Sequence, residues 1–138
     1  MREYRYQLVF EGKVTPDDEL GARMMVEARA GFSPKTDPIF SEGAPQAILS
    51  TVVENEDEST FTQSGELIFG GGSLRIETIG SGELRPSGDE AVQIGLATWS
   101  IQGGTGAFEG ARGYVQSLFT INEDAVLVDS QSGIVFVA

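Results

Sequence analysis

The chain has 138 residues, enough for one domain with one real core. It contains no cysteine and no histidine, which excludes disulfides, thiolate metal sites, cysteine nucleophiles and any Ser-His-Asp machinery, and disfavours a catalytic zinc or iron centre. Twenty-one acidic against nine basic residues give a net charge of −12, a surface that repels phosphate backbones and anionic lipid, so neither a nucleic-acid nor a membrane partner is expected.

Residues 4–14 alternate: Tyr4, Tyr6, Leu8, Phe10 and Val14 fall on one face, with Arg5, Gln7, Glu11 and Lys13 on the other. Period two with aromatic and β-branched residues predicts a strand. Residues 16–30 admit two readings. Thr15-Pro16-Asp17-Asp18-Glu19 has the cap, first-turn proline and early acids of one short helix, with Leu20, Met24, Met25 and Ala28 on one face. The preferred reading is a turn over 15–19 and a strand near 22–32, because the rest of the chain reads as β. Residues 33–44 hold Pro34, Pro38 and Gly43 and form the longest predicted loop.

From residue 45 onward strands and turns alternate. Strands are predicted over 46–53, 59–69, 73–80, 91–101, 112–121 and 125–137. Gly70-Gly71-Gly72 supplies a tight hairpin, Asn122-Glu123-Asp124 another turn, and the strand over 125–137 is expected to break around Gly133, with Asp129-Ser130-Gln131-Ser132-Gly133 read as a turn. About eight strands with short links predict an all-β domain spanning 1–138, closed as an eight-stranded antiparallel β-barrel. No apolar run reaches signal-peptide or transmembrane length, and the expected compartment is the cytoplasm.

The sharpest string is Gly103-Gly104-Thr105-Gly106-Ala107-Phe108-Glu109-Gly110-Ala111-Arg112-Gly113-Tyr114. It lacks the Gly-Lys-Ser/Thr ending of a phosphate loop and the final glycine of a dinucleotide fingerprint, and it lies between strands. It predicts a strand-to-strand corner with Phe108 plugging one barrel end. The string resembles the signature of dirigent proteins, and Gly-Gly-x-Gly-x-Phe-Glu-Gly-Ala is similar to the matching segment of allene oxide cyclases. The resemblance covers about residues 100–121. It implies an eight-stranded antiparallel barrel whose cavity folds a reactive small molecule for cyclisation or coupling without a cofactor. It also implies a homo-oligomer, dimer or trimer, which strands with two apolar faces such as Ile48-Leu49 and Val135-Phe136-Val137 support.

With histidine and cysteine absent, proton handling falls to carboxylates, tyrosines and cations. Tyr6, Glu77 and Tyr114 are the candidate catalytic residues: Tyr6 lies on the apolar face of the first strand, Glu77 sits between Arg75 and Ile79, and a buried carboxylate there would titrate high. Tyr4, Trp99, Arg112 and Phe108 are the candidate substrate contacts. Gly95 and Ala97 alternate with Trp99 and leave room beside its ring, while Arg112 and Tyr114 share a face where one can pair with a carboxylate as the other lines the cavity. The expected function is a cofactor-independent cyclase or isomerase that folds a hydrophobic small-molecule substrate for ring closure, such as an intramolecular cycloaddition in bacterial natural-product biosynthesis. The competing expectations are a non-catalytic, lipocalin-like binding barrel and a structural oligomer with a filled bore.

Overall fold

The alternation of apolar and polar residues passes directly into strands. A computed structural model describes residues 1–138. It contains β1 (Arg2–Pro16), β2 (Arg23–Gly31), β3 (Gln46–Asn55), β4 (Thr60–Phe69), β5 (Gly72–Thr78), β6 (Gly82–Pro86), β7 (Val92–Gly104), β8 (Arg112–Asn122) and β9 (Val126–Val137). Two single turns of 3-10 helix, Pro38–Phe40 and Gly106–Phe108, are the only helical pieces. All neighbours are antiparallel, and the sheet closes because β3 pairs with β4 and β1 with β9. β5 and β6 both pair with β4 and with β7, so they are one barrel strand interrupted at Ile79–Ser81, where Gly80 takes a φ of 63°. Nine segments thus fill eight positions of a closed antiparallel barrel, as the strand count predicts.

Of the two readings of residues 16–30 the preferred strand holds, and one expectation, the break at Gly133, is corrected. Residues 16–30 hold no helix: Asp17 to Ala22 turn the chain, closed by the Asp17 amide donating to the Arg23 carbonyl, and β2 follows. Val26, Ala28 and Ala30 then face inward while Met25, Glu27 and Arg29 face out. Period-two burial against β1 and β3 overrides the cap-like residues at 15–19. β9 does not break at Gly133 but runs through it in continuous register with β1 and β8.

The reason is an aromatic ring. Tyr6 lies directly across from Gly133 in the β1–β9 ladder, and a Cβ on that glycine would stand 2.1 Å from the tyrosine ring. The same arrangement occurs twice more. Phe119 faces Gly95, where a Cβ would meet the ring at 2.0 Å, and Phe61 faces Gly82, where it would meet the ring at 2.3 Å. Each ring lies flat over the neighbouring strand because the glycine has no side chain. Phe61 and Phe119 then meet edge to face, their centroids 5.8 Å apart.

One end of the bore is closed by aromatics. Phe40, carried by the 32–45 loop, stacks on Phe108 with centroids 5.5 Å apart, and both touch Phe69, at 5.1 and 5.5 Å. Tyr6 packs against Phe40 and Phe69 from below. Phe108 is fully buried, so the corner string does plug a barrel end. The glycines of that string serve close backbone approach: a Cβ on Gly104 would stand 2.4 Å from the Ser73 carbonyl oxygen, and one on Gly106 2.3 Å from that of Gly71.

Adding a methyl group under these rings is expected to destabilise the barrel. Gly133→Ala and Gly95→Ala should each cost about 1–3 kcal/mol in urea denaturation, because the ring has to leave its rotamer and push into a packed interior. Gly88→Ala provides the comparison, since its Cβ would meet open space and only its φ of 94° is strained.

Candidate functional site

Opposite the aromatic plug the bore stays open. A cavity of about 430 Å³ lies there, a volume in the range of small-molecule sites. Its mouth is ringed by the strand ends at Pro16, Asn55, Gln93 and Asn122, and its walls are Val26, Val53, Phe61, Leu84, Phe119, Ile121 and Leu127. A larger concavity of about 1130 Å³ lies outside the barrel, a shallow groove across β1, β9, β8 and β7. The cavity in the bore is the better ligand site, because its apolar walls converge on the inward-facing Asp129 and Gln63.

Those polar groups come from positions in phase with the apolar face of each strand. Asp129 alternates with Leu127 and Gln131 on β9, Ser117 with Val115 and Phe119 on β8, and Gln63 with Phe61 on β4. Asp129 is only 2% exposed and lines the cavity. Ser117 Oγ donates to its Oδ1 at 2.7 Å, and Gln131 Nε2 donates to its Oδ2 at 2.8 Å. Gln131 Oε1 in turn accepts from Tyr6 Oη at 2.9 Å. Burial pushes the Asp129 carboxyl up from 3.8 to about 6, against the two hydrogen bonds that favour its ionised form. Burial, and then the nearby Asp129 charge, raise the Tyr6 phenol well above its ordinary value, so Tyr6 stays a neutral donor.

Gln63 stands on the far wall. β4 and β9 are four strands apart whichever way the barrel is traversed, so Gln63 and Asp129 enter the cavity from opposite sides. The Gln63 Nε2 donates to Thr51 Oγ1 at 2.8 Å, and the backbone around it is held by Thr78, whose hydroxyl accepts from the Gln63 amide at 2.7 Å and donates to its carbonyl at 2.8 Å.

The residues singled out in the sequence are scattered across this architecture. Tyr6 is buried at the base of the plug and reaches the cavity only through Gln131 and Asp129. Tyr4 is half-buried at the rim of the core. Trp99 is wholly buried between Thr78 and Val115 and does not line the cavity; the room expected beside it at Gly95 is taken by the Phe119 ring. Its Nε1 is a buried donor with no partner. Phe108 belongs to the plug. Glu77 and Tyr114 point outward and are exposed, because their strand phase is set by Leu74 and Ile76 and by Val115 and Ser117. Arg112 also faces out; it pairs with no carboxylate and donates through Nη1 to the carbonyls of Gln102 and Ala111, at 3.0 and 2.8 Å. Asp129, Gln63, Ser117 and Gln131 were not singled out in the sequence. The signal that marks them is a polar residue at an apolar-phase position of a strand, and for Asp129 it was hidden by reading 129–133 as a turn.

Compared by sequence, the chain matches no protein-family model and no curated protein. Compared by structure, it is similar to the pterocarpan synthase dirigent protein GePTS1, with a TM-score of 0.64 at 15% identity over 99% of this chain and 88% of that one. The chain thus shares the eight-stranded barrel fold of that protein, in keeping with the fold implied by residues 100–121. No helix in it is long and apolar enough to cross a membrane.

The Asp129 shift makes a signed prediction. Between pH 3.8 and about 6 the folded chain holds a proton that the unfolded chain has released, so this group's contribution to stability is lost as pH rises through that window. Asp129→Asn carries no such term. Urea midpoints at pH 4.5 and 7.5 should show the stability difference moving in favour of the variant by about 2 kcal/mol at the higher pH.

Proposed function

We propose that the protein is a cofactor-independent cyclase or isomerase that holds a mainly apolar small molecule in the open half of its barrel. The observation that carries this reading is Asp129: a carboxyl titrating near neutrality, at the floor of an apolar cavity, held by Ser117 and Gln131. Such a group exchanges protons readily at cellular pH. Apolar walls that fold a flexible ligand into a near-attack conformation lower the barrier to ring closure without covalent help. In this mechanism the walls set the shape: as an O–H or N–H of the ligand adds across its own polarised double bond, Asp129 takes the proton and returns it to the carbon left anionic, so the ring bond replaces the π bond, the product is an isomer of the substrate and the carboxylate is regenerated. The dirigent-like fold supports a role in steering cyclisation, and bacterial natural-product biosynthesis is the setting that fits this chemistry. A cytoplasmic location is part of the same proposal. A non-catalytic binding barrel shares the cavity but has no use for a carboxyl placed at its driest point.

A probe of base catalysis is 5-nitrobenzisoxazole, a compact apolar compound that opens when its ring C–H proton is removed: the proton passes to the base, the N–O bond breaks and a coloured cyanophenolate forms. The protein is expected to give saturable turnover that rises with pH through about 6, as Asp129 ionises. Asp129→Asn should lower that rate by roughly 100-fold or more. Leu84→Trp, which fills the cavity, should abolish saturation while the circular dichroism of the barrel is kept. Turnover absent in the wild type, or unchanged in Asp129→Asn, overturns the reading.

Assembly belongs to the same proposal. The outer groove is lined by Gln7, Val9, Leu96, Thr98, Gln116, Leu118, Ser130 and Ser132, and Glu83 is its one charged residue. Val9, Leu96 and Leu118 are exposed by 57%, 44% and 51%. Two copies that each carry −12 repel least through a groove with a single acid, so a second copy of this chain is the partner this surface fits. Light scattering at high micromolar concentration should give a mass at least twice 14.7 kDa. Leu118→Asp should return it to the monomer.

A further inference from the structure

We infer that the cavity selects a ligand bearing an O–H or N–H donor at its buried end and rejects one ending in a carboxylate. The inference rests on the cavity reading above and concerns which chemistry that cavity takes. Its floor offers a carboxylate and an amide oxygen as acceptors, and no cation. The Asp129 carboxyl is acceptor-only when ionised; Ser117 Oγ gives its one hydrogen, and Gln131 Nε2 one of its two, to the carboxyl's own oxygens, and neither residue lines the cavity. On the opposite wall Gln63 has turned its amide nitrogen to Thr51, which leaves its Oε1 with no donor from the chain. That oxygen is not among the fully buried unpartnered atoms, so it borders open space, and Gln63 lines the cavity.

The bias is held in place from behind. Reversing the Gln131 amide would aim its NH₂ at the Tyr6 hydroxyl and its oxygen at the Asp129 carboxylate, two acceptors facing each other. Tyr6 is fixed by its ring on Gly133 and by the aromatic plug, so its hydroxyl stays on Gln131. The free amide donors of the lining, on Gln93 and Asn122, belong to exposed residues at the mouth. No lysine or arginine lines the cavity, and its only other charged residue is Glu123, an acid.

A ligand donor placed against Asp129, or against Gln63 on the opposite wall, satisfies an acceptor that apolar walls otherwise leave dry. A ligand carboxylate there would meet a second carboxylate and a carbonyl oxygen with no counter-charge, in a region where such contacts are poorly screened. Neutral alcohols, phenols and amines therefore fit, and protonated amines fit best while Asp129 is ionised.

The test uses four probes on one skeleton: biphenyl, 4-phenylphenol, 4-phenylbenzylamine and biphenyl-4-carboxylate, titrated calorimetrically into the wild-type protein at pH 7.5. The phenol and the amine are expected to bind roughly tenfold or more tighter than biphenyl, and the carboxylate roughly tenfold or more weaker, the scale of one buried charge-assisted hydrogen bond made or lost. Asp129→Asn should remove most of the amine's advantage. Gln63→Leu should reduce that of the phenol, and biphenyl binding serves in both variants as the measure of an intact cavity. Carboxylate binding as tight as that of the phenol, or equal binding of all four, overturns the inference and leaves the cavity reading standing. Binding of none of the four overturns both.

Discussion

The barrel is organised by aromatic rings lying on cross-strand glycines. A ring that stands upright in an eight-stranded bore fills it; a ring laid over the next strand clears it. Gly82 and Gly95 let Phe61 and Phe119 lie flat and meet edge to face along one wall, which leaves the open half of the bore as a cavity. Gly133 does the same for Tyr6, but at the boundary between plug and cavity, where the ring belongs to the hydrophobic end and the hydroxyl to the polar one. The two halves of the interior, one packed solid and one hollow, follow from where these three pairs fall in the register.

The polar floor depends on the same placement. Asp129, Gln131, Ser117 and Tyr6 form one connected network, and each hydrogen bond in it has a definite donor. Because Tyr6 is held by packing rather than by solvent, the network has a fixed end, and the orientation of the Gln131 amide follows from it. This is how a tyrosine that never touches the cavity influences the charge and the accepting character of a carboxyl that does. Burial opposes the charged form of Asp129, and two donors favour it; burial wins, but only by enough to bring the group near neutrality.

Charge is distributed with the same economy. Acidic side chains cover the exterior, and the interior holds a single one. The groove across the middle of β1, β9, β8 and β7 departs from this pattern, with serine, threonine, glutamine and aliphatic side chains on four adjacent strands and Glu83 its one acid. A strongly acidic protein meets a copy of itself at least cost where its acids are fewest.

Much of this architecture was legible in the chain itself. Period-two alternation marks every strand but the short β6, the triple glycine marks the β4–β5 hairpin, and the corner string around Phe108 marks the barrel end it plugs, because each depends on residues near one another in sequence. The eight-stranded count and the likeness to dirigent barrels rest on the same local signals. The site was not legible in that way. Whether Glu77 or Asp129 faces inward is a matter of strand phase, and Asp129 can be phased only by knowing that β9 continues through Gly133, which a Tyr6 ring 127 positions earlier makes possible. Gln63 and Asp129 face each other because the sheet closes with three strand positions between theirs on either side. The sequence by itself determined the strands and the closed barrel, since apolar periodicity and turn glycines act locally. Only the tertiary structure decided which polar residues share the cavity, since that follows from ring-on-glycine packing between strands far apart in the chain.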